Sequence, residues 1–264
     1  MRLPRILETA LLLVAVCTLS ACVVPGGPLN ARDRVVETRP LDPDGRLSLE
    51  NVNGKVELTT WSRSEVRIEA DRAAVSKAAL EDVRVEIFGE GDEVEVKTRH
   101  RRSGFPFIGS GGKVDYRVRV PAGARVHVST VNGPISVEGV SGELRVSSVN
   151  GPVTIRDASG AVRAETVNGG IDARYAVASG TGDHRFETVN GGIEVSLPEG
   201  STGRLAAKTV NGSVSCELPI DDVQKSRRRL EGRLGPGQGS FKMETVNGSV
   251  HVRRGPGRLP AEAS

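Results

Sequence analysis

The chain is poor in aromatic residues, cysteine and histidine, and each shortage removes a class of function. One Trp, two Tyr and five Phe in 264 residues leave little from which to build sugar-stacking subsites. A polysaccharide-active enzyme is therefore the weakest of the functional expectations. The four histidines, His100, His127, His184 and His251, are scattered without metal-ligand spacing, so no metal or cofactor is expected. Gly109-Ser110-Gly111-Gly112-Lys113 has the look of a phosphate loop. However, Phe107 stands where the first glycine belongs and Val114 where a magnesium-binding hydroxyl belongs, so the segment reads as a loop between strands. Charge of one sign is also missing: the formal net charge is only +3, and it falls to +2 without residues 1–21, which hold Arg2, Arg5 and Glu8. No nucleic-acid partner is indicated.

The one long apolar run lies at the N-terminus. Arg2 and Arg5 precede an apolar core from Leu11 to Val16, too short to span a bilayer with ease but suited to a signal peptide. Leu19-Ser20-Ala21-Cys22 follows and resembles the lipobox of bacterial lipoproteins. The resemblance implies cleavage after residue 21 and a diacylglyceryl group on Cys22, and two acyl chains suffice for stable anchoring. Val23, rather than aspartate, points to the outer membrane if the cell has one, and otherwise to the cell surface. Cys17 would leave with the signal peptide, so Cys216 alone remains in the folded part and no internal disulfide can form.

What is abundant is glycine, with 32 residues, and valine-rich alternation. Val-Asn-Gly occurs seven times, with asparagines at Asn53, Asn132, Asn150, Asn168, Asn190, Asn211 and Asn247. From Asn132 onward the intervals are 18, 18, 22, 21 and 36, the last as if one copy had lost its signature. Three residues after each asparagine stands Val56, Ile135, Val153, Ile171, Ile193, Val214 or Val250; five after stands Leu58, Val137, Ile155, Ala173, Val195, Cys216 or Val252. Upstream, at minus six and minus four, come apolar pairs such as Val126 and Val128, Leu144 and Val146, and Phe241 and Met243. This is the period of half-buried strands, with Asn-Gly supplying left-handed corner conformations. Val167 and Ile171 are read as inward positions.

Two architectures satisfy the pattern. In a β-solenoid each copy is a coil of 18–22 residues that stacks on its equivalent. In an antiparallel β-meander or sandwich each Asn-Gly is a hairpin turn. The near-constant interval favours the solenoid. Before the main array, Val66–Glu69, Val83–Phe88, Val94–Lys97 and Val114–Val120 alternate like strands, Glu90-Gly91-Asp92 reads as a turn, and Arg72–Asp82 as room for one short helix. The expected organisation is a signal peptide over 1–21, a lipidated tether over 22–34, one all-β domain with an irregular N-terminal part over 35–254, and a frayed tail over 255–264.

Asn51-Val52-Asn53-Gly54, Trp61, the Val66 strand, Val118-Arg119-Val120-Pro121-Ala122-Gly123-Ala124 and the repeated Thr-Val-Asn-Gly together resemble the adhesin-like domain family of bacteria, a domain of unknown function. The resemblance covers nearly all of the chain beyond the signal peptide. It implies a β-helix-like extracytoplasmic domain without established activity, and "adhesin" is there a label by analogy.

The functional expectation is a lipid-anchored, non-catalytic module of the cell envelope, held to the membrane through Cys22 and binding a surface polymer or a partner protein. An envelope-sensing accessory role is the alternative. Two basic segments are candidate interaction loops: Arg99, Arg101 and Arg102 beside Phe105 and Phe107, and Arg227, Arg228 and Arg229 in the last interval. The asparagines, with Thr130, Thr166, Thr188, Thr209 and Thr245, form either an exposed binding array or a set of corners, and turn chemistry favours the corners. Cys216 reads as a small buried hydrophobe, and His184 as a core-edge residue.

Overall fold

A computed structural model of the chain describes residues 29–100, 112–175 and 182–255. The expected signal peptide, Cys22, most of the expected tether, Arg101, Arg102, Phe105, Phe107 and the residues beyond 255 lie outside the described residues. No described helix is long and apolar enough to cross a membrane.

Strands account for almost everything described. In chain order they begin β1 (Ala31–Glu50), β2 (Val56–Trp61), β3 (Glu65–Ala74), the single-turn helix α1 (Lys77–Glu81), β4 (Val83–Phe88), β5 (Gly91–His100) and β6 (Lys113–Pro121). The central part contains β7 (Arg125–Asn132), β8 (Ile135–Glu138), β9 (Leu144–Asn150), β10 (Val153–Ala158), β11 (Val162–Asn168), β12 (Ile171–Tyr175), β13 (Asp183–Asn190) and β14 (Ile193–Leu197). The chain ends with β15 (Arg204–Asn211), β16 (Val214–Cys216), β17 (Asp221–Ser226), β18 (Arg229–Arg233), β19 (Ser240–Asn247) and β20 (Val250–Arg254).

The strands stack as a two-sided β-solenoid, and the antiparallel alternative does not describe its body. Equivalent positions meet in parallel register: Ile135, Val153, Ile171, Ile193, Val250 and Val214 form one inward ladder, and Val128, Val146, Ala164, Phe186, Met243 and Ala207 another. All are buried, so the inward positions assigned from the alternation hold, with two exceptions. Val167 points outward and is half-exposed, because it shares the parity of Arg163 and Glu165 rather than of Ala164. Cys216 is only half-buried, because it belongs to the short last strand of its sheet, with a stacked neighbour on one side only.

The coils do not stack in chain order. β19–β20, the last coil in sequence, lies between β13–β14 and β15–β16. The spatial order of asparagines is therefore Asn53, Asn132, Asn150, Asn168, Asn190, Asn247, Asn211. The N-terminal end mirrors this, since β5 and β6 lie outside the β1–β2 coil while β7 and β8 lie on its other side. The 36-residue interval thus hides no lost copy. It holds the antiparallel hairpin β17–β18, which covers β15. At the other end β3 pairs antiparallel with both β1 and β6, and β4 with β5. Except at β16, whose only strand partner is β20, the ends of the parallel stack are closed by antiparallel strands, which blunts open edges.

Two boundaries move. The expected tether ends sooner, because Ala31–Pro40 pairs residue for residue with Glu65–Ala74. The helix shrinks to α1, because Glu65–Ala74 is strand; the Ser76 hydroxyl caps it by accepting from Ala79 N–H at 3.1 Å.

Candidate functional site

The repeat signature itself is consumed by structure. Six of the seven Asn side-chain amides donate to the carboxamide oxygen of a neighbouring asparagine at 2.8 Å, in one unbroken run from Asn211 through Asn247, Asn190, Asn168, Asn150 and Asn132 to Asn53, whose own amide turns to Gly112 O. The hydroxyls two residues earlier point inward. Thr166, Thr188, Thr245 and Thr209 donate to the carbonyls of Gly151, Gly169, Gly191 and Gly248 at 2.8–3.0 Å and are buried. An exposed array of threonine hydroxyls is thereby excluded. The glycines serve close packing more than left-handed geometry: only Gly54 and Gly133 of the seven have positive φ. A Cβ on Gly151, Gly169, Gly191, Gly212 or Gly248 would collide with the glycine carbonyl of the next coil.

Two other polar groups inside the stack, His184 and Asn51, are matched to partners, whereas the buried Thr130 hydroxyl is not. His184 is not at the core edge but fully buried, stacked on Phe241 at 4.5 Å with Tyr175 edge-on at 5.1 Å. Its Nδ1 accepts from Val162 N–H at 3.3 Å and lies 2.7 Å from the Tyr175 hydroxyl. Because the amide can only donate, Nδ1 is the acceptor and the ring proton sits on Nε2. Near the N-terminal end, Asn51 takes the position threonine holds elsewhere. It donates to Val114 O at 3.0 Å and accepts from Thr98, which contacts the Tyr116 hydroxyl at 2.7 Å. Burial pushes the Tyr116 phenol up to about 12.

The outer face of β9, β11, β13 and β19 carries a basic row, Arg145, Arg163, Arg185 and Lys242, beside an acidic one, Glu165, Glu187 and Glu244. Each acid is paired along its own strand: Arg163 with Glu165 at 2.7 Å, Arg185 with Glu187, and Lys242 with Glu244 at 3.0 Å. The Glu187 carboxyl is raised above the usual range, chiefly by burial; Arg185 opposes this, and the flanking Glu165 and Glu244 add to it. The other face holds a shallow groove of about 350 Å³ whose rim includes Glu57, Arg67, Glu69, Arg117, Arg119 and Glu138. Arg117 is paired there with Asp71 at 3.1 Å and Arg67 with Glu69 at 3.0 Å. Among the described residues no group of His, Cys, Asp and Glu is arranged to hold a metal ion.

At the C-terminal cap like charges oppose one another across a ladder, although Glu244 lies opposite Lys208 and Asp221 opposite Arg233 on their other sides. In the β15–β18 ladder Arg204 stands directly opposite Arg233, and Lys208 opposite Arg229, all four exposed. Of these, only Arg229 has a carboxylate within ion-pair distance among the described residues, Glu231 at 2.7 Å. The turn before β18 adds Arg227 and Arg228. It is docked rather than loose: Arg228 O accepts from Thr209 N–H at 2.9 Å, Arg227 O from Val214 N–H at 3.0 Å, and the Arg228 guanidinium reaches Val210 O at 3.3 Å. Lys208, Arg229 and Lys242, with Glu231 and Glu244, line a cleft of about 260 Å³ over Ala206. Of the residues singled out in the sequence, Arg227, Arg228 and Arg229 therefore share one surface. Arg99 lies on β5 at the opposite end, paired with Glu86 at 3.7 Å. The strand cations Arg204, Lys208 and Arg233 escape a reading of the sequence, since only the hairpin register brings them to that turn.

No curated protein matches the chain. Among solved structures it is similar to a candidate cell adhesion protein of Clostridium sporogenes, at 11% identity over 84% of this chain and 100% of that one, with a TM-score of 0.45. It is also similar to a candidate adhesin of Bacteroides fragilis, at 8% identity over 86% and 100% of the two chains, with a TM-score of 0.34. A third, a candidate lipid-binding protein of Parabacteroides distasonis, is 13% identical over 83% and 96%, with a TM-score of 0.26. The family model described as Toastrack DUF4097 matches residues 43–253, and the chain belongs to that family.

Proposed function

We propose that the protein is a lipid-anchored, non-catalytic interaction module of the cell envelope, tied to a membrane through Cys22 and binding a surface polymer or a partner protein. The observation that carries this reading is where the chain enters the fold. β1 begins at Ala31, nine residues after Cys22, and Ala31–Pro40 is the outermost strand of its sheet, paired on one side only, with β3. An anchor there holds the solenoid by one end. Along the other sheet, the order β4, β5, β1, β7, β9, β11, β13, β19, β15, β18, β17 makes ten strand spacings, or roughly 48 Å at about 4.8 Å each. The module would thus project its opposite cap well clear of the bilayer. A binding rather than catalytic role agrees with the outward carboxylates Glu165, Glu187 and Glu244 lying in same-strand ion pairs.

Membrane fractionation tests the anchor. Cys22→Ala is expected to move the protein from the membrane to the soluble fraction, and an unchanged distribution would overturn the anchor. Incubation with envelope polysaccharide is expected to leave the polymer length unchanged, and shortening would overturn the non-catalytic role.

A further inference from the structure

We infer that the C-terminal cap is a binding site for an extended phosphate-bearing polymer, seated across Arg204, Lys208, Arg229 and Arg233 and continuing over the Arg227–Arg228 turn. This deepens the interaction role proposed above, and its choice of ligand over the anchoring bilayer rests on the Cys22 anchor.

The argument starts from register. Directly opposed side chains in an antiparallel pair have Cβ atoms about 5 Å apart, and like charges at that distance destabilise the pair. The β15–β18 ladder contains two such oppositions, Arg204 with Arg233 and Lys208 with Arg229; Glu231, Glu244 and Asp221 border the strip, but only Glu231 lies within ion-pair distance of one of the four, Arg229, so six cations, counting Arg227 and Arg228, outnumber three carboxylates. On β11, β13 and β19 the same outer positions are balanced, each cation having a glutamate two residues along its strand. At the cap that rule lapses on β15, where Ala206 lies between Arg204 and Lys208. A repulsive arrangement on an exposed, docked hairpin is relieved when an anion lies between the opposed cations.

Spacing decides the size of that anion. Arg204 and Lys208 are four residues apart on one strand, so the two cation pairs are about 13 Å from each other at about 3.3 Å per residue. Arg227 and Arg228 extend the strip beyond the second pair. One small ion cannot span these points, whereas a flexible chain with regularly placed phosphates can. Guanidinium groups, of which the strip has five, match phosphate oxygens bidentately. Position decides the source: the strip lies at the end of the stack away from Ala31, so the bilayer holding Cys22 is at the wrong end to occupy it.

The test uses the full-length chain in micelles of a neutral detergent, with linear polyphosphate as the probe. Wild type is expected to bind polyphosphate with an affinity that falls steeply as salt rises, and inorganic phosphate should compete poorly. Lys208→Gln/Arg229→Gln should weaken binding at least ten-fold. Arg145→Gln/Arg163→Gln, an equal loss of charge mid-stack, should change it less than two-fold. Because the four cap residues are exposed, the Lys208→Gln/Arg229→Gln variant should fold, and without polymer it should melt slightly higher than wild type, since a like-charge pair is gone. Equal losses in both double variants, or no salt-dependent binding, would overturn the site. Displacement of polyphosphate by phosphatidylglycerol added to the micelles at equal phosphate would overturn the polymer in favour of a lipid surface. None of these outcomes depends on lipidation, so failure of the anchor in the fractionation experiment remains separable from failure of the site.

Discussion

The middle of the solenoid and its ends obey different rules. From Asn132 to Asn190 consecutive coils are neighbours in space, and each position meets its equivalent: β-branched residue on β-branched residue along Ile135, Val153, Ile171 and Ile193, glycine carbonyl against glycine, amide on amide. At both ends succession is broken by a displaced coil, and antiparallel strands cover the open edges other than that of β16. A stack made only of equivalent coils would present a pairing edge at each end and invite further copies. The irregular ends are what make it finite, and because they are released from the repeat they can set like charges opposite one another.

The largest expected contrast is between inside and outside at one mid-stack corner. Ile171→Asp places an unpaired charge at a position only 2% exposed and should abolish the cooperative thermal transition followed by circular dichroism. Val167→Asp, four residues earlier but half-exposed, should retain it. Similar melts for both would show that the two faces were assigned wrongly. Next come the glycines. Gly191→Ala drives a methyl into the Gly169 carbonyl and should cost about 3 kcal/mol or more in denaturant unfolding, at the upper end of overpacking effects. At the N-terminal cap, Gly91 has φ +70 with nothing within 4 Å of an added Cβ, so Gly91→Ala should cost only the left-handed strain of about 1–2 kcal/mol.

The amide ladder gives a smaller difference. Asn168 both donates to Asn150 and accepts from Asn190, while Asn211 at the cap makes a single bond, to Asn247. Asn168→Ala should therefore destabilise about twice as much as Asn211→Ala, near 1–2 against 0.5–1 kcal/mol, counting about 0.5–1 kcal/mol for each bond. The smallest effect is one of pH. Glu187 titrates above the ordinary carboxylate value of 4.5 in the folded protein, mainly because it is buried, with Arg185 pulling the other way and Glu165 and Glu244 reinforcing the rise. A raised folded-state value favours the native state at low pH, and that contribution is lost as pH rises through it. Glu187→Gln should accordingly melt slightly above wild type at neutral pH and level with it below the ordinary carboxylate value. A gap that widens on acidification would contradict the sign.

These contrasts also mark what was legible. Inward positions such as Ile135, Ile155 and Val195 follow from local alternation repeated in phase, because a strand buried on one face has no other period available. Which coil neighbours which does not follow, since the Val-Asn-Gly at Asn247 has the same local chemistry as that at Asn211 and either could lie against Asn190. Arg204 and Arg233 are 29 residues apart, and only the hairpin in the long interval sets them face to face. His184 departs from the core-edge expectation for a related reason. Its template position is inward, and the partner that allows a polar ring there, the Tyr175 hydroxyl, belongs to the adjacent coil. For the candidate site, the Arg227–Arg229 turn was visible as a run of charge, while the strand cations facing it were not.

The displaced coil also bears on how the molecule is made. A chain emerging N-terminus first has β13–β14 and β15–β16 before β19–β20 exists, yet in the finished stack those two coils never touch. Any contact they make early has to reopen, or their shared slot has to wait. Residues 240–254 therefore work as a keystone: a chain cut short before Ser240 loses a layer from between two coils already made, and the stack cannot close until β19 and β20 have been delivered.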